Sequence, residues 1–292
     1  MVKKIRKRFI LFNMIVITCV FIFLATVIYF GSTTNQSISR FVSIMIIILL
    51  LSFVTSYVIS KYALQPIKQA WQKQLDFTAD ASHELRTPLA VIKTNLEIVM
   101  DNPDETVESQ MKWLQNIEAE HTRMAKLVED LLTLSRADIG EQSLFLSTFM
   151  IDEVIRQVTD TFRPLCQQKG ITLKQDIEMG ISFHGDEKRI SQLIVILLDN
   201  AVQYTPHGNI TVRLRQKEGK LELTVQDTGK GIPKEDTQKI FERFYRANHT
   251  RSLNPDGSGL GLSIAKWIVA EHNGTISAKS ELGKWTKITV NL

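Results

Sequence analysis

The sequence predicts a multi-domain membrane protein in three parts. These are two transmembrane helices, an antiparallel helical hairpin that completes a four-helix bundle on dimerisation, and an α/β sandwich. Three observations support this fold class. Two long runs near the N-terminus contain no charged residue. Apolar residues then recur at alternating spacings of three and four, as in packed helices. From about Phe145, short alternating stretches are interleaved with helical runs, which indicates a mixed α/β domain. The alternating stretches are 171–174, 210–215, 221–226 and 288–292, and the helical runs lie near 151–169, 188–204 and 262–271.

The N-terminal segment, 1–60, is predicted to anchor the chain in a membrane. Phe9–Phe30 and Phe41–Ile59 are both uncharged throughout, and each is close to the roughly 20 residues that a span takes. Basic residues precede the first run and follow the second, so both termini are placed in the cytoplasm. A cleaved signal peptide is the alternative for the first run, but that run exceeds the usual apolar region of about 7–15 residues. The predicted segments are a basic N-terminus (1–8), a first span (9–30), an external loop (31–40), a second span (41–60) and a juxtamembrane linker (61–73).

The charge distribution does not indicate a nucleic-acid surface. The chain has 35 Lys+Arg and 31 Asp+Glu, a formal net charge of +4. Residues 1–60 hold six of the basic residues and no acidic one. The basic excess therefore lies beside the predicted membrane, while the remainder is slightly acidic, and we expect no nucleic-acid partner.

Residues 74–140 are predicted to form a helical hairpin. Each of two helices carries an apolar seam with spacings of three and four, and residues 101–104 separate them. One hairpin cannot bury both seams, so two hairpins are expected to pair as a homodimer. His121 falls on the second seam and is interpreted as a packing residue. The seam residues are Leu85, Leu89, Ile92, Leu96 and Val99, then Leu114, Ile117, His121, Met124, Val128 and Leu131.

His83 is predicted to point away from this seam, because it precedes Leu85 by two positions, or about 200°, on the helix. Glu84 is next to it and can accept a proton from the imidazole, which leaves the other ring nitrogen as a nucleophile. Thr87 lies one turn further on the same face. Pro88 lacks a backbone donor, so the helix is expected to weaken or kink there. The alternative, an ordinary exposed histidine, does not account for these neighbours.

Four motifs in this order resemble the H, N, G1 and G2 boxes of bacterial sensor histidine kinases. They are Ser82-His83-Glu84-Leu85-Arg86-Thr87-Pro88, Leu197-Leu198-Asp199-Asn200-Ala201, Asp227-Thr228-Gly229-Lys230-Gly231 and Gly257-Ser258-Gly259-Leu260-Gly261-Leu262. The resemblance covers about residues 66–292. It implies that residues 145–292 form an ATP-binding domain of the Bergerat (GHKL) fold. It further implies that His83 is phosphorylated, that Glu84 acts as base, and that Thr87 positions a water for dephosphorylating the partner.

The expected nucleotide site follows from these motifs. Asp227 ends a strand and suits the exocyclic amine of adenine, while the glycines let the backbone approach the ligand closely. The last motif precedes a helix, whose first amides suit a triphosphate. Asn200 is expected to ligate Mg²⁺ through its oxygen, although a satisfied buried amide is the alternative. Residues 246–256 are interpreted as a mobile lid. The predicted site residues for ATP are Asn200, Gln203, Tyr204, Asp227, Gly229, Gly231, Phe244, Gly257, Gly259, Leu260, Gly261 and Leu262.

Three positions depart from the family pattern. Ile196 replaces a usual Asn one helical turn before Asn200, Gln203 stands where Lys is common, and Gly283-Lys284 replaces the more usual Gly-Thr. Ile196 cannot hold a metal-bound water, so slower catalysis or weaker Mg²⁺ binding is expected. Only the short stretch 67–82 separates Pro66 from His83, which leaves no room for the parallel-coil relay domain found in most relatives with two spans.

The sequence therefore predicts a protein-histidine kinase of the bacterial plasma membrane that passes a phosphoryl group from His83 to an aspartate of a separate response regulator. A signal source within the membrane or in another membrane protein is favoured, because the external loop is short. Two other classes are weighed against it. A membrane-tethered ATPase would have no reason to carry the His83 motif. A kinase-weak scaffold or a phosphatase-dominant regulator is the stronger rival, because of Ile196.

Overall fold

The computed structural model describes residues 15, 17–23, 25–26, 29, 35–139, 144–217, 219–247 and 257–292. These residues divide into two compact units, Met1–Ala79 and Asp80–Leu292.

Every described residue of the first unit is helical. Helix α1 (Asn35–Asp101) begins inside the predicted external loop, so residues 35–40 are helical, whereas 31–34 lie outside the described residues. The predicted second span, 41–60, lies within α1. Part of the predicted first span, including 9–14, lies outside the described residues. Within the described part of the chain, no helix combines the length and the apolar character that a membrane span requires.

The second unit opens with the predicted helical hairpin, formed by the end of α1 and by α2 (Val107–Ile139). α1 stays helical through Pro88. Two polar side chains fasten the antiparallel pair. Gln110 donates its amide hydrogens to the carbonyls of Val99 (3.3 Å) and Asn102 (2.7 Å), and Asn116 donates to the Asn95 side chain at 3.2 Å. Gln110 therefore supplies a donor to the Val99 carbonyl in the last turn of α1, where carbonyls lack helical donors.

Replacing the buried Gln110 with Ala is expected to destabilise the hairpin, because the carbonyls of Val99 and Asn102 lose the hydrogen bonds from its side chain. We expect the free energy of opening to fall by about 1–2 kcal/mol. Hydrogen exchange of the backbone amides of α2 measures this free energy of opening. The control is Gln115→Ala, because Gln115 is an exposed residue of the same helix. Equal exchange rates in the two variants would show that Gln110 does not fasten the turn.

The hairpin seam is only partly covered within one chain. Pro88 and Asn95 are buried, but the seam residues Leu89 and Leu96 are 57% and 46% exposed. His121, interpreted from the sequence as a packing residue, is also exposed within the chain.

The α/β sandwich is confirmed, and its main sheet has the strand order β2-β4-β5-β7-β6. β2 and β4 are parallel and the other neighbours are antiparallel. A separate antiparallel pair joins β1 to β3. The strands are β1 (Ser147–Met150), β2 (Ile171–Ile177), β3 (Ser182–Gly185), β4 (Gly208–Lys217), β5 (Lys220–Asp227), β6 (Thr275–Glu281) and β7 (Trp285–Asn291).

Four helices accompany the sheet: α3 (Ile151–Thr161), α4 (Arg163–Gln168), α5 (Glu187–Tyr204) and α6 (Gly261–Glu271). The predicted single helical run over 151–169 is instead two helices, divided at Phe162 with a proline in the first turn of α4. α5 begins where the Asp186 side chain accepts from the Arg189 amide at 3.1 Å, a standard N-cap. Its buried face is wholly aliphatic, which fixes α5, and Asn200 with it, against the sheet.

Candidate active site

A cavity of about 480 Å³ lies within the second unit and is lined by both the hairpin and the α/β domain. The hairpin contributes Glu84 from α1 and a row of α2 residues that includes Lys126. Of the predicted site residues, His83, Thr87, Gly229, Phe244 and Leu260 do not line it. Those that do line it are Glu84, Asn200, Gln203, Tyr204, Asp227, Gly231, Gly257, Gly259, Gly261 and Leu262.

Asp227 places a buried carboxyl group at the end of β5. Burial raises its pKa to about 6, although the backbone N–H groups of Gly229 and Thr286 oppose the rise. Gly229 donates to Oδ1 at 2.8 Å. A carboxylate can accept more hydrogen bonds than this one, so Asp227 can accept a hydrogen bond from an amine that enters the cavity.

Two glycines after Asp227 are required by close backbone approach. A Cβ on Gly229 would lie 2.3 Å from the Tyr204 carbonyl oxygen, and one on Gly231 would lie 2.1 Å from the Glu281 carbonyl oxygen. Gly231 also has a φ of +67°, a backbone conformation that residues other than glycine rarely adopt. Backbone hydrogen bonds hold this segment on both sides. The Lys230 N–H donates to the Tyr204 carbonyl at 3.2 Å, and the Lys230 carbonyl accepts from the Gly283 N–H at 2.6 Å.

Gly231→Ala is expected to damage the site more than Gly283→Ala. Both glycines have positive φ, but a Cβ on Gly283 would meet nothing within 4 Å. Gly283→Ala therefore adds only backbone strain of about 1–2 kcal/mol, whereas Gly231→Ala must also displace the β6–β7 turn. Thermal unfolding and nucleotide binding measure the difference. Equal losses in the two variants would mean that the contact with Glu281 is not constraining.

The Gly257-to-Leu262 segment leads into α6. Gly259 has a φ of +70°, and a Cβ there would lie 2.9 Å from the Phe244 carbonyl carbon, so this turn packs on the Phe244 backbone. Gly261 opens the helix beside Asn200, whose Nδ2 would lie 3.9 Å from an added Cβ. The predicted lid, 246–256, is described only at residues 246 and 247; the rest lies outside the described residues.

Asn200 is held with its amide nitrogen turned to the helix. Nδ2 donates to the Ile196 carbonyl at 2.8 Å, which leaves Oδ1 as the group suited to a cation. Ile196 lines the cavity with an aliphatic side chain. In the part of the chain that the structure describes, no group of three or more His, Cys, Asp or Glu side chains is arranged to hold a metal. Mg²⁺ fits such a site, because it commonly uses one or two protein ligands together with substrate phosphates.

The predicted phosphoacceptor group lies on α1. His83 is exposed, and the adjacent Glu84 is half-buried and lines the cavity. The Thr87 hydroxyl donates to the His83 carbonyl at 3.5 Å, a long contact that keeps it on the His83 face. The structure therefore places the base candidate in the cavity, whereas the adjacent nucleophile candidate is exposed and does not line the cavity.

Charged residues of α2 were missed by the sequence interpretation. Lys126 Nζ lies 3.6 Å from Asp199 Oδ2, next to Asn200, and Arg123 and Asp130 also line the cavity. Burial raises the pKa of Asp130 to about 6, Lys126 lowers it and Glu129 raises it further. The spacing of three and four between Arg123, Lys126 and Asp130 marks one helix face and is the signal that could have found them.

Comparisons with known proteins agree with this arrangement. Residues 185–292 match the family of histidine kinase-, DNA gyrase B- and HSP90-like ATPases, and residues 73–140 match the His Kinase A (phospho-acceptor) domain. The sensor histidine kinase RppB of Synechocystis sp. is 35% identical over 240 residues, which cover 82% of this chain and 53% of RppB. The chain spans about half the length of the curated relatives it matches.

Two solved structures share the fold. Histidine kinase ThkA in complex with the response regulator protein TrrA has a TM-score of 0.63 at 25% identity, covering 80% of this chain and 65% of that one. Full-length ShkA in complex with AMPPNP has a TM-score of 0.56 at 27% identity, covering 73% and 44%. A phospho-acceptor hairpin is thus followed by a histidine-kinase-type ATPase domain, and the chain belongs to the family of bacterial two-component sensor histidine kinases.

Proposed function

We propose that this protein uses ATP to phosphorylate His83 and then passes the phosphoryl group to an aspartate of a separate response regulator. One observation carries the proposal: Glu84, the neighbour of His83, lines the same cavity as Asp227, Asn200 and the Gly257–Leu262 segment. A nucleotide site that includes the neighbour of the phosphoacceptor fits phosphoryl transfer, which depends mainly on positioning and charge stabilisation.

The nucleotide is held by the α/β domain. Asp227 accepts from the exocyclic amine of adenine, and the Gly229–Gly231 backbone lies against the ring. Tyr204, Gln203 and Phe244 flank the nucleotide. Gly257, Gly259 and Gly261, with Leu260 and Leu262, present backbone amides to the phosphates at the start of α6. The complex of ShkA with AMPPNP supports this assignment.

Asn200 Oδ1 is the proposed ligand for Mg²⁺, since its Nδ2 is already used by Ile196. When bound, Mg²⁺ neutralises charge on the phosphates. Asn200 lies beside Gly261 of the phosphate segment, on a helix that is fixed by its buried aliphatic face.

Glu84 accepts a proton from the His83 imidazole, which frees a ring nitrogen for attack. The nitrogen–phosphorus bond forms as the bond from the γ-phosphorus to the bridging oxygen breaks, and ADP leaves. The phosphoryl group then moves to a regulator aspartate, as supported by the ThkA–TrrA complex. Thr87, on the same face as His83, is proposed to position the water that dephosphorylates the regulator.

The protein is proposed to act as a homodimer in the bacterial plasma membrane, with both termini in the cytoplasm. The exposed half of the hairpin seam supports the dimer, because apolar side chains in a continuous stripe favour burial against a second hairpin. The two uncharged runs and their basic flanks support the membrane anchor. The stripe includes the seam residues Leu89, Leu96 and Val128, and Leu132 is exposed one turn after Val128.

A kinase-weak or phosphatase-dominant regulator is the second candidate. Ile196 favours it, since its aliphatic side chain lines the cavity one turn from Asn200, where an amide would hold a metal-bound water. Such a protein would still bind ATP and would still use Thr87 on the regulator.

Incubating the full chain in detergent micelles with Mg²⁺ and γ-labelled ATP tests the proposal. We expect protein-bound label that is lost in acid and retained in base, the pattern of a phosphohistidine. ATP binding without label would reject autophosphorylation and favour the second candidate. Restoration of label by Ile196→Asn would then assign the defect to that position.

A further inference from the structure

The α/β domain packs directly on the hairpin of its own chain. Leu127 and Leu134 of α2 are 5% and 1% exposed and belong to one apolar cluster with Leu260 and Ile264, at the start of α6. Leu85, close to His83 on α1, packs against the same cluster. The segment proposed to hold the phosphates is therefore joined to the hairpin by a shared core and not by surface contacts alone.

Polar groups continue this contact toward the cavity. Lys126 pairs with Asp199 at 3.6 Å, and both side chains are more than half exposed. Such a pair contributes at most about 1 kcal/mol. It sits beside Asn200, however, so it orients the phosphate end of the site relative to α2.

His83 on α1 and Lys126 on α2, where the α/β domain packs, lie at similar positions along the hairpin axis. The stretch of α1 from His83 to its end at Asp101 is nearly as long as the stretch of α2 from its start at Val107 to Lys126. At a rise of about 1.5 Å per residue, each stretch is about 27–29 Å long, so both side chains lie at a similar distance from the turn. The connection from Ile139 to Ser147 reaches at most about 28 Å when fully extended, so it holds the domain near its own hairpin.

We infer that each subunit transfers the γ-phosphoryl group of its bound ATP to its own His83. The inference rests on the proposed autophosphorylation and adds which of the two histidines in a dimer is used. Glu84, the neighbour of His83, and the nucleotide residues that line the same cavity belong to one chain, so this arrangement brings the neighbour of the acceptor to the nucleotide site without a second chain.

Two differently tagged heterodimers of the full chain, purified in micelles through both tags, test the inference. The first pairs a His83→Gln subunit with an Asp227→Asn subunit. Transfer within a subunit predicts no more label than the Asp227→Asn homodimer carries at the same ATP concentration, because neither chain has both an acceptor and an intact nucleotide site. Label on the Asp227→Asn subunit above that homodimer level would overturn the inference.

The second heterodimer pairs an unaltered subunit with one that carries both substitutions. Transfer within a subunit predicts label on the unaltered chain at about half the amount of the unaltered homodimer. An unlabelled unaltered chain would overturn the inference, because its own site would then be unable to reach its own histidine. An unlabelled unaltered homodimer, in contrast, would reject the proposed autophosphorylation itself.

Discussion

His83→Gln is expected to reduce incorporation of label from γ-labelled ATP by at least about 100-fold. Glutamine keeps a polar side chain of similar reach on the exposed face of α1, but its amide nitrogen is not a nucleophile. ATP binding should be unchanged, because His83 does not line the cavity. Labelling kinetics and nucleotide binding, measured on the same full-length variant, separate the two effects.

His184→Gln is the matched control, since His184 is also exposed but lies on β3, in the small two-stranded sheet. We expect it to be labelled like the unaltered protein. Substantial labelling of His83→Gln, or equal losses in both variants, would show that His83 is not the acceptor.

Asp227→Asn is expected to weaken ATP binding by roughly ten- to 150-fold, the range for a lost hydrogen bond to a charged group. The carboxylate has two acceptor oxygens, one of which already receives the Gly229 amide. Asparagine offers a single acceptor oxygen, so Gly229 and the adenine amine must compete for it. Isothermal titration with ATP measures the loss, and unchanged affinity would remove Asp227 from the nucleotide site.

The same carboxyl group predicts the pH dependence of binding. With its pKa raised to about 6 by burial, Asp227 loses its charge as pH falls through 6. The ratio of the unaltered affinity to that of Asp227→Asn should then fall about tenfold between pH 7.5 and pH 5. Taking this ratio cancels the titration of the nucleotide phosphates. A ratio that is constant with pH would contradict the role of the carboxylate.

The charged form of Asp227 is expected to favour ATP binding but to disfavour folding of the nucleotide-free protein. Its folded-state pKa lies above the usual value of 3.8, so the stability it contributes to the nucleotide-free protein is fully present below pH 3.8. That contribution is lost as pH rises through 6. At neutral pH the empty site therefore holds an unfavourable buried charge, which a bound amine relieves.

Local patterns were sufficient for the hairpin and most of the sandwich. The alternating spacing before Asp101 and after Val107 predicted both helices, and aliphatic alternation predicted the central strands β4 and β5. The strands β1, β3 and β6 were not predicted. β6 has only two apolar residues, Ile276 and Ala278, among polar ones, and its strand form depends on pairing with β7.

In the candidate site, too, residues whose position depends on contacts distant in sequence were not predicted. Motif order predicted the residues of the α/β domain because each motif carries its own backbone requirement, such as the positive φ of Gly231. No local requirement marks Lys126, since a lysine on a helix face is usually solvated. Its proximity to Asp199 depends on the packing of Leu127 and Leu134 against α6, a contact between segments far apart in sequence.

The position of β7 in the sheet has a consequence for biosynthesis. β7 follows every other described element in the chain, yet it lies between β5 and β6 and pairs with both. Its Thr286 supplies one of the backbone amides that face Asp227. During synthesis, the edge of β5 that pairs with β7 therefore stays unpaired until β7 leaves the ribosome. A polypeptide cut short before Trp285 would lack part of the proposed nucleotide site and would expose an unpaired strand edge, so we expect proteases to degrade such fragments.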